Sequence, residues 1–168
     1  MSLLLRFTYA VCLFSCVLFV TQAMDKTVGK VRVNWLAPEK YTDVRPGSWG
    51  SKKRYTEYVT KRLTLHIEKL ATQYLPPNHN LIITVTNLDL AGDIQFIGSQ
   101  QMRVIRSIDI PRIHFSYELT DQNNEIINTA EVKLKDMGFD MRSHFLKDDP
   151  FKFEYTMLKN WFKTAFSG

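Results

Sequence analysis

The chain has very little cysteine. Its two cysteines, Cys12 and Cys16, both lie near the N-terminus, and no cysteine follows them. A domain formed by the later sequence therefore has no thiolate nucleophile, no internal disulfide and no cysteine ligand for a metal ion. Thiol catalysis and cysteine-ligated zinc modules are excluded as functions of that domain.

Several short motifs that carry chemistry are also missing. The sequence has no GxSxG nucleophile elbow, no phosphate-binding GxxxxGKS/T and no dinucleotide-binding GxGxxG. Its four histidines show none of the HxH, HxxxH or HExxH spacings that are typical of zinc sites. We therefore predict no catalytic set, no metal site and no cofactor.

Charge of one sign does not dominate the sequence, which has 22 Lys and Arg against 17 Asp and Glu, a net charge of +5. A nucleic-acid interface needs its basic residues clustered on one face. The run Lys52-Lys53-Arg54 is too thin a patch for that, and we predict that it is solvated. We predict no nucleic-acid partner.

The longest apolar run lies at the N-terminus, where Arg6 precedes residues 7–20 and Thr21-Gln22-Ala23 follows them. A basic residue, a short apolar run and small residues at positions −3 and −1 are typical of a cleaved signal peptide. The run is shorter than the roughly 17 to 25 residues that cross a bilayer. We predict a signal peptide over 1–23 and one globular domain over 24–168, with an uncleaved anchor or lipidation at Cys16 as the alternatives.

Apolar periodicity predicts four strands and two helices. In chain order these are a strand over 31–35, a helix over 55–74, strands over 81–88, 113–119 and 126–134, and a helix that begins after Pro150. This order favours an α+β fold with a single, mainly antiparallel sheet and both helices packed on one face. The other, open face would carry Arg112, His114, Glu118, Glu131 and Lys133.

Two long loops, over 37–51 and 87–99, are predicted to carry the binding residues. The candidates are Asp43, Arg45, Trp49, Asp89 and Asp93. Asp43 and Arg45 are expected to form an ion pair, and Trp49 would be an exposed aromatic anchor. If the two loops lie at the same edge of the sheet, these residues line one surface. The alternative is that the aspartates only hydrogen-bond their own backbone in turns.

Two histidines have positions that could suggest catalysis. His66 lies on the apolar face of the first helix, where we expect a hydrogen-bonded histidine at the core boundary. His114 falls on the open sheet face, where an exposed imidazole is ordinary. We assign neither of them a catalytic role.

Several segments of the chain resemble one bacterial family. They include Val33-Asn34-Trp35, Tyr41-Thr42-Asp43-Val44-Arg45, the stretch 85–92, Leu134-Lys135-Asp136-Met137 and Asp149-Pro150 with Glu154. The pattern is similar to that of domain of unknown function 3016, although Asn87 stands where an aspartate is expected. The resemblance implies an exported protein of Gram-negative bacteria, hence a periplasmic one, and it implies no activity, cofactor or catalytic residue.

These observations favour a non-enzymatic binding or envelope accessory module. Its partner would be an envelope protein or a small ligand, with no stable membrane anchor after cleavage, and the protein would be a monomer or a weak dimer. One alternative is a carboxylate- or metal-dependent hydrolase that uses Asp89, Asp93, Asp136 and a histidine. Another is a structural or assembly factor of the envelope.

Overall fold

The alternation and the helical spacing of the sequence produce six strands and two α-helices, in a computed structural model that describes residues 30–48, 50–141 and 148–166. The elements are β1 (Val31–Trp35), a 3₁₀ helix (Pro38–Lys40), α1 (Lys52–Tyr74), β2 (Asn80–Asp89), β3 (Asp93–Ile97), β4 (Gln100–Val104), β5 (Arg112–Thr120), β6 (Ile126–Lys135) and α2 (Lys152–Phe166). The predicted signal peptide over 1–23, Trp49 and His144 lie outside the described residues.

Four strands form the main sheet in the order β1-β2-β5-β6. The pair β1–β2 is parallel, with Val33 opposite Ile83, and the other two pairs are antiparallel. The predicted α+β class and the mainly antiparallel sheet are confirmed. In the turn between β5 and β6, Asp121 accepts the amides of Asn123 and Glu125 at 2.8 Å each and Asn124 takes φ +64°.

One face of this sheet forms the core. Alternate residues of β2 and β5, such as Ile83 and Phe115, are buried together with the apolar stripes of α1 and α2. Both helices therefore cover the same face of the sheet. The intervening residues Arg112, His114 and Glu118 lie half-buried on the opposite face.

The first helix begins three residues earlier than the periodicity indicated. Ser51 caps it, with its hydroxyl accepting the amide of Arg54 at 3.4 Å, so Lys52, Lys53 and Arg54 form the first turn. The helix ends at Tyr74, where Leu75 takes an extended conformation before Pro76. None of the helices in the described part of the chain is both long enough and apolar enough to span a bilayer.

The prediction of a loop over 87–99 is wrong in its second half, because β3 lies there and forms a separate two-stranded hairpin with β4. Among the strands of the described residues, β3 and β4 pair with each other and not with the main sheet, and the turn between them contains Gly98 at φ +63°. The base of the hairpin is closed by Gly92 at φ +79°, where a Cβ atom would lie 2.4 Å from the carbonyl oxygen of Val104. The hairpin thus forms a small sheet of its own, separate from the main sheet.

Candidate functional site

A cavity of about 760 Å³ opens between the β3–β4 hairpin, the first turns of α1 and the segment that enters α2. Its volume falls within the range of roughly 300 to 1,000 Å³ that is typical of small-ligand sites. Most of its wall is aromatic or aliphatic. The main apolar side chains are those of Tyr55, Tyr58, Leu90, Ile94, Ile105 and Phe151.

Three aromatic rings form one side of the cavity. Tyr55 and Tyr58 are three residues apart on α1, with ring centroids 6.4 Å apart, and Tyr58 lies 5.7 Å from Phe151. Burial raises the pKa of the Tyr55 phenol, so this side chain stays neutral at physiological pH. The rings connect α1 to the start of α2 and give the cavity a stiff apolar surface.

The opposite side of the cavity is held by a buried carboxylate. Asp43 is only 6% exposed, and its two oxygens accept from Arg45 Nε and Arg103 Nη1 at 2.7 Å each. Arg103 also donates to the carbonyl oxygens of Gly92 at 2.9 Å and of Asp43 at 3.2 Å. Asp43 therefore ties the loop after β1 to β4 and holds two cavity arginines in place. The predicted Asp43–Arg45 ion pair is confirmed.

The two predicted loops meet at one edge of the sheet. Asp43 forms an isolated parallel bridge with Asp89, beyond the pairing of β1 with β2. Arg45 then reaches across to Asp93, with Nη2 2.6 Å from Oδ1, and bonding to Asp43 raises the pKa of Arg45. The two loops thus contact each other through Arg45, which lines the cavity, whereas Asp43 and Asp93 do not line it.

Asp89 points elsewhere. Its Oδ2 atom lies 2.7 Å from Arg112 Nη1, and the two side chains face each other across the β2–β5 register. Asp136, the third carboxylate of the hydrolase alternative, lies in the turn after β6 and accepts the amide of Gly138 at 3.2 Å. The described residues contain no group of three or more His, Cys, Asp or Glu placed to hold a metal ion. No observation on these residues favours the hydrolase.

The most unusual cavity residue is Glu154. It is 1% exposed, its Oε1 atom accepts the amide of Ala91 at 2.7 Å, and its Oε2 atom has no partner among the described residues. Burial raises the pKa of Glu154 to about 7, although the Ala91 amide and the charge of Arg103 oppose the shift. Near neutral pH this carboxyl group therefore exchanges between its neutral and ionised forms.

One cavity cation is not neutralised. Arg54 lies at the mouth, at the start of α1, and it forms no ion pair within the described ranges 30–48, 50–141 and 148–166. The first turn of α1 contains no acidic residue. The positive end of the helix dipole and three consecutive cations therefore coincide at this point.

A second polar cluster lies behind the cavity. Asp149 Oδ2 lies 3.0 Å from His66 Nε2 and 2.5 Å from Arg62 Nη2, and Oδ1 accepts the amide of Phe151 at 2.8 Å. Burial alone would raise the pKa of Asp149, but these three donors outweigh it and lower the pKa. Burial also lowers the pKa of His66, which is thus neutral at pH 7. The expectation of a hydrogen-bonded histidine at this position is confirmed.

Sequence reasoning missed most of this cavity. Tyr58, Ile105 and Phe151 come from distant parts of the chain, and no periodicity connects them. Glu154 did leave a signal, because it occupies the same helical face as the apolar residues Met157, Leu158 and Trp161. A carboxylate on an apolar stripe is a reason to suspect a buried functional group.

A comparison with protein families finds a match over most of the chain. The model of a family described as protein of unknown function (DUF3016) matches residues 29–164. Neither the curated proteins nor the solved structures gave a match to the chain.

Proposed function

The chain belongs to the DUF3016 family, and we propose that it is a non-enzymatic binding module of the bacterial envelope. It would bind a small, largely apolar ligand in the cavity between the β3–β4 hairpin, α1 and α2. Export to the periplasm after cleavage of residues 1–23 is part of the proposal. Intact-mass analysis of protein from a periplasmic extract would show a chain that starts at Met24, and a chain that retains residues 1–23 would contradict the export.

The observation that carries the binding proposal is the cavity itself. Its volume of about 760 Å³ and its aromatic and aliphatic wall fit a small ligand, and a few charged groups converge on it. Apolar surface that stays open to water favours an occupant that covers it. Tyr58, for example, is 46% exposed although it lies in the cavity wall.

The polar groups of the cavity are suited to positioning rather than to covalent chemistry. Its described lining contains tyrosine, arginine and one glutamate, and no serine, threonine, cysteine or histidine. The arginines Arg45 and Arg103 are held by Asp43, so these charged groups form a fixed frame. Such a frame orients a ligand, while the apolar wall supplies most of the binding free energy.

The test uses N-phenyl-1-naphthylamine, a neutral apolar probe that fluoresces more strongly when it leaves water. We expect saturable binding to the wild-type protein. Ile94→Trp places a larger side chain in the cavity wall and should weaken probe binding at least roughly tenfold, because the indole takes the space of the probe.

The matched control is Ile97→Trp. Ile97 lies on the same strand, is 55% exposed and does not line the cavity, so this variant should bind the probe like the wild type. Equal binding by the Ile94→Trp protein, or no saturable binding by the wild type, would overturn the assignment of the cavity as a ligand site.

A further inference from the structure

We propose that the ligand is a single-chain amphiphile whose polar end is anionic and is bound by Arg54 at the mouth of the cavity. The inference rests on the proposed function, because it assigns a chemical class to the ligand of the same cavity. It is argued from the charges around the cavity and from the side chains behind its mouth.

Among the arginines that line the cavity, Arg54 differs in having no carboxylate partner among the described residues. Arg45 and Arg103 also line the cavity, but each is paired with Asp43 at 2.7 Å. Arg54 lines the mouth without a carboxylate partner among the described residues. Lys52 and Lys53 add positive charge in the same helical turn, which contains no acidic residue. An anionic group at this point would be the missing counter-charge.

The side chains behind Arg54 are apolar. The rings of Tyr58 and Phe151 are in contact, with their centroids 5.7 Å apart and their planes tilted by 50°, and Ile94 and Ile105 line the same cavity. Ile105 is 43% exposed, which is high for an isoleucine in a cavity wall. A ligand with a charged end at Arg54 and an alkyl chain over these residues would satisfy the charge and cover the apolar surface together.

Glu154 makes this site sensitive to pH. The groups that face it are Arg103 from β4, Tyr55 from α1 and Asp149 ahead of α2, with the amide of Ala91 on its Oε1 atom. The neutral carboxyl group adds no negative charge to the wall, whereas the ionised one repels an anionic ligand. Affinity should therefore fall as the pH rises through about 7, the pKa of Glu154. By linkage, binding of the anion raises that pKa further.

The direct test compares three ligands with the same alkyl chain by isothermal titration calorimetry, below the concentrations at which they form micelles. They are laurate, dodecyl maltoside and dodecyltrimethylammonium. We expect laurate to bind at least roughly tenfold more tightly than the other two, the effect of one charge-assisted hydrogen bond. Monododecyl phosphate is a second anionic ligand. Whichever of laurate and monododecyl phosphate binds more tightly identifies the head group as a carboxylate or a phosphate.

The outcomes separate this inference from the proposed function. If none of the four amphiphiles binds, the cavity is not a site for alkyl ligands and this inference fails, while the proposed function is decided separately by the binding of N-phenyl-1-naphthylamine. If dodecyl maltoside or dodecyltrimethylammonium binds as tightly as laurate, ligand binding by the cavity stands and the anionic assignment is overturned.

Variants then locate the charge. Arg54→Gln should weaken laurate binding roughly tenfold and leave dodecyl maltoside binding unchanged, which also shows that the variant is folded. Lys53→Gln is the matched control, because Lys53 is a neighbouring cation that does not line the cavity. Laurate affinity that is the same in the Arg54→Gln and Lys53→Gln proteins would contradict the role of Arg54.

Glu154→Gln tests the pH dependence. Glutamine keeps an acceptor for the Ala91 amide but does not titrate, so laurate affinity should become independent of pH between about 6 and 8. His66 also contacts Asp149, but burial lowers the pKa of His66, and this residue does not line the cavity and is retained in the variant. A pH dependence that persists in the Glu154→Gln protein would overturn the role of Glu154.

Discussion

The two sides of this molecule are held together by different forces. On the sheet side, α1 and α2 bury aromatic and aliphatic side chains on one face of the main sheet. Trp161, for example, lies 4.8 Å from both Phe115 and Phe162, measured between ring centroids. On the cavity side, the walls are joined largely by arginine–carboxylate pairs around Asp43 and Asp93.

This difference explains how the cavity stays open. Apolar packing has no preferred direction and closes any gap that it can close. Ion pairs and charge-assisted hydrogen bonds fix side chains at defined distances and leave room between them. At the cavity, ion pairs are added to the aromatic and aliphatic wall, so the two sides should respond differently to substitution.

The largest effect is expected on the sheet side. Leu63 is fully buried in α1, and Leu63→Ala should lower the free energy of unfolding by about 3 to 4 kcal/mol, the sum of lost transfer energy and a residual cavity. Leu65→Ala on the same helix is the control, because Leu65 is 48% exposed and should cost under about 0.5 kcal/mol.

Urea denaturation measures both leucine variants. The folded Leu63→Ala protein should still bind N-phenyl-1-naphthylamine like the wild type, since Leu63 does not line the cavity. Loss of probe binding in the native Leu63→Ala protein would show that the two sides of the molecule are not independent.

A somewhat smaller loss of stability is expected on the cavity side. Asp43→Ala leaves the guanidinium of Arg103, 18% exposed, without its carboxylate partner. Removing one partner of a buried ion pair should lower the free energy of unfolding by about 3 kcal/mol. Unlike Leu63→Ala, this substitution should also weaken probe binding, because it releases both Arg45 and Arg103.

The control for Asp43→Ala is Asp109→Ala. Asp109 pairs with Arg106 through a bidentate contact at 2.6 and 3.0 Å, away from the cavity lining. Arg106 is 40% exposed and Asp109 18%, so this pair is more accessible to solvent than the Asp43–Arg103 pair and should contribute less to stability. If the two aspartate variants unfold at the same urea concentration, Asp43 is not the anchor of the cavity side.

The sheet side was also the more predictable one. The strands over 31–35 and 113–119 and the long first helix have regular apolar spacing, which reflects the single face that each element buries. Long stretches of this kind tolerate few alternative structures. The helix packing and the mainly antiparallel sheet followed from the order of these elements.

The hairpin was not predictable on the same basis. β3 and β4 have five residues each, and Phe96 and Ile97 near the turn are both exposed, so no alternation marks a buried face. Asp93 and Gly98 at their ends are typical of loops. The ion pair of Asp43 with Arg45 was predictable because these residues are two positions apart in the sequence, whereas the pair of Asp43 with Arg103 depends on tertiary structure.

The smallest expected effect tests how the hairpin is attached. Gly92 and Gly98 both have positive φ, +79° and +63°, but only at Gly92 would a Cβ atom collide with backbone, 2.4 Å from Val104 oxygen. Gly98→Ala should therefore cost about 1 kcal/mol for the left-handed conformation alone, and Gly92→Ala about 2 kcal/mol or more. Urea denaturation measures the loss in free energy of unfolding for both variants. The difference between the two losses is the steric cost at Gly92, because both variants have the cost of the left-handed conformation. If Gly92→Ala costs no more than Gly98→Ala, the base of the hairpin is free to move away from β4, and the cavity wall is not fixed there.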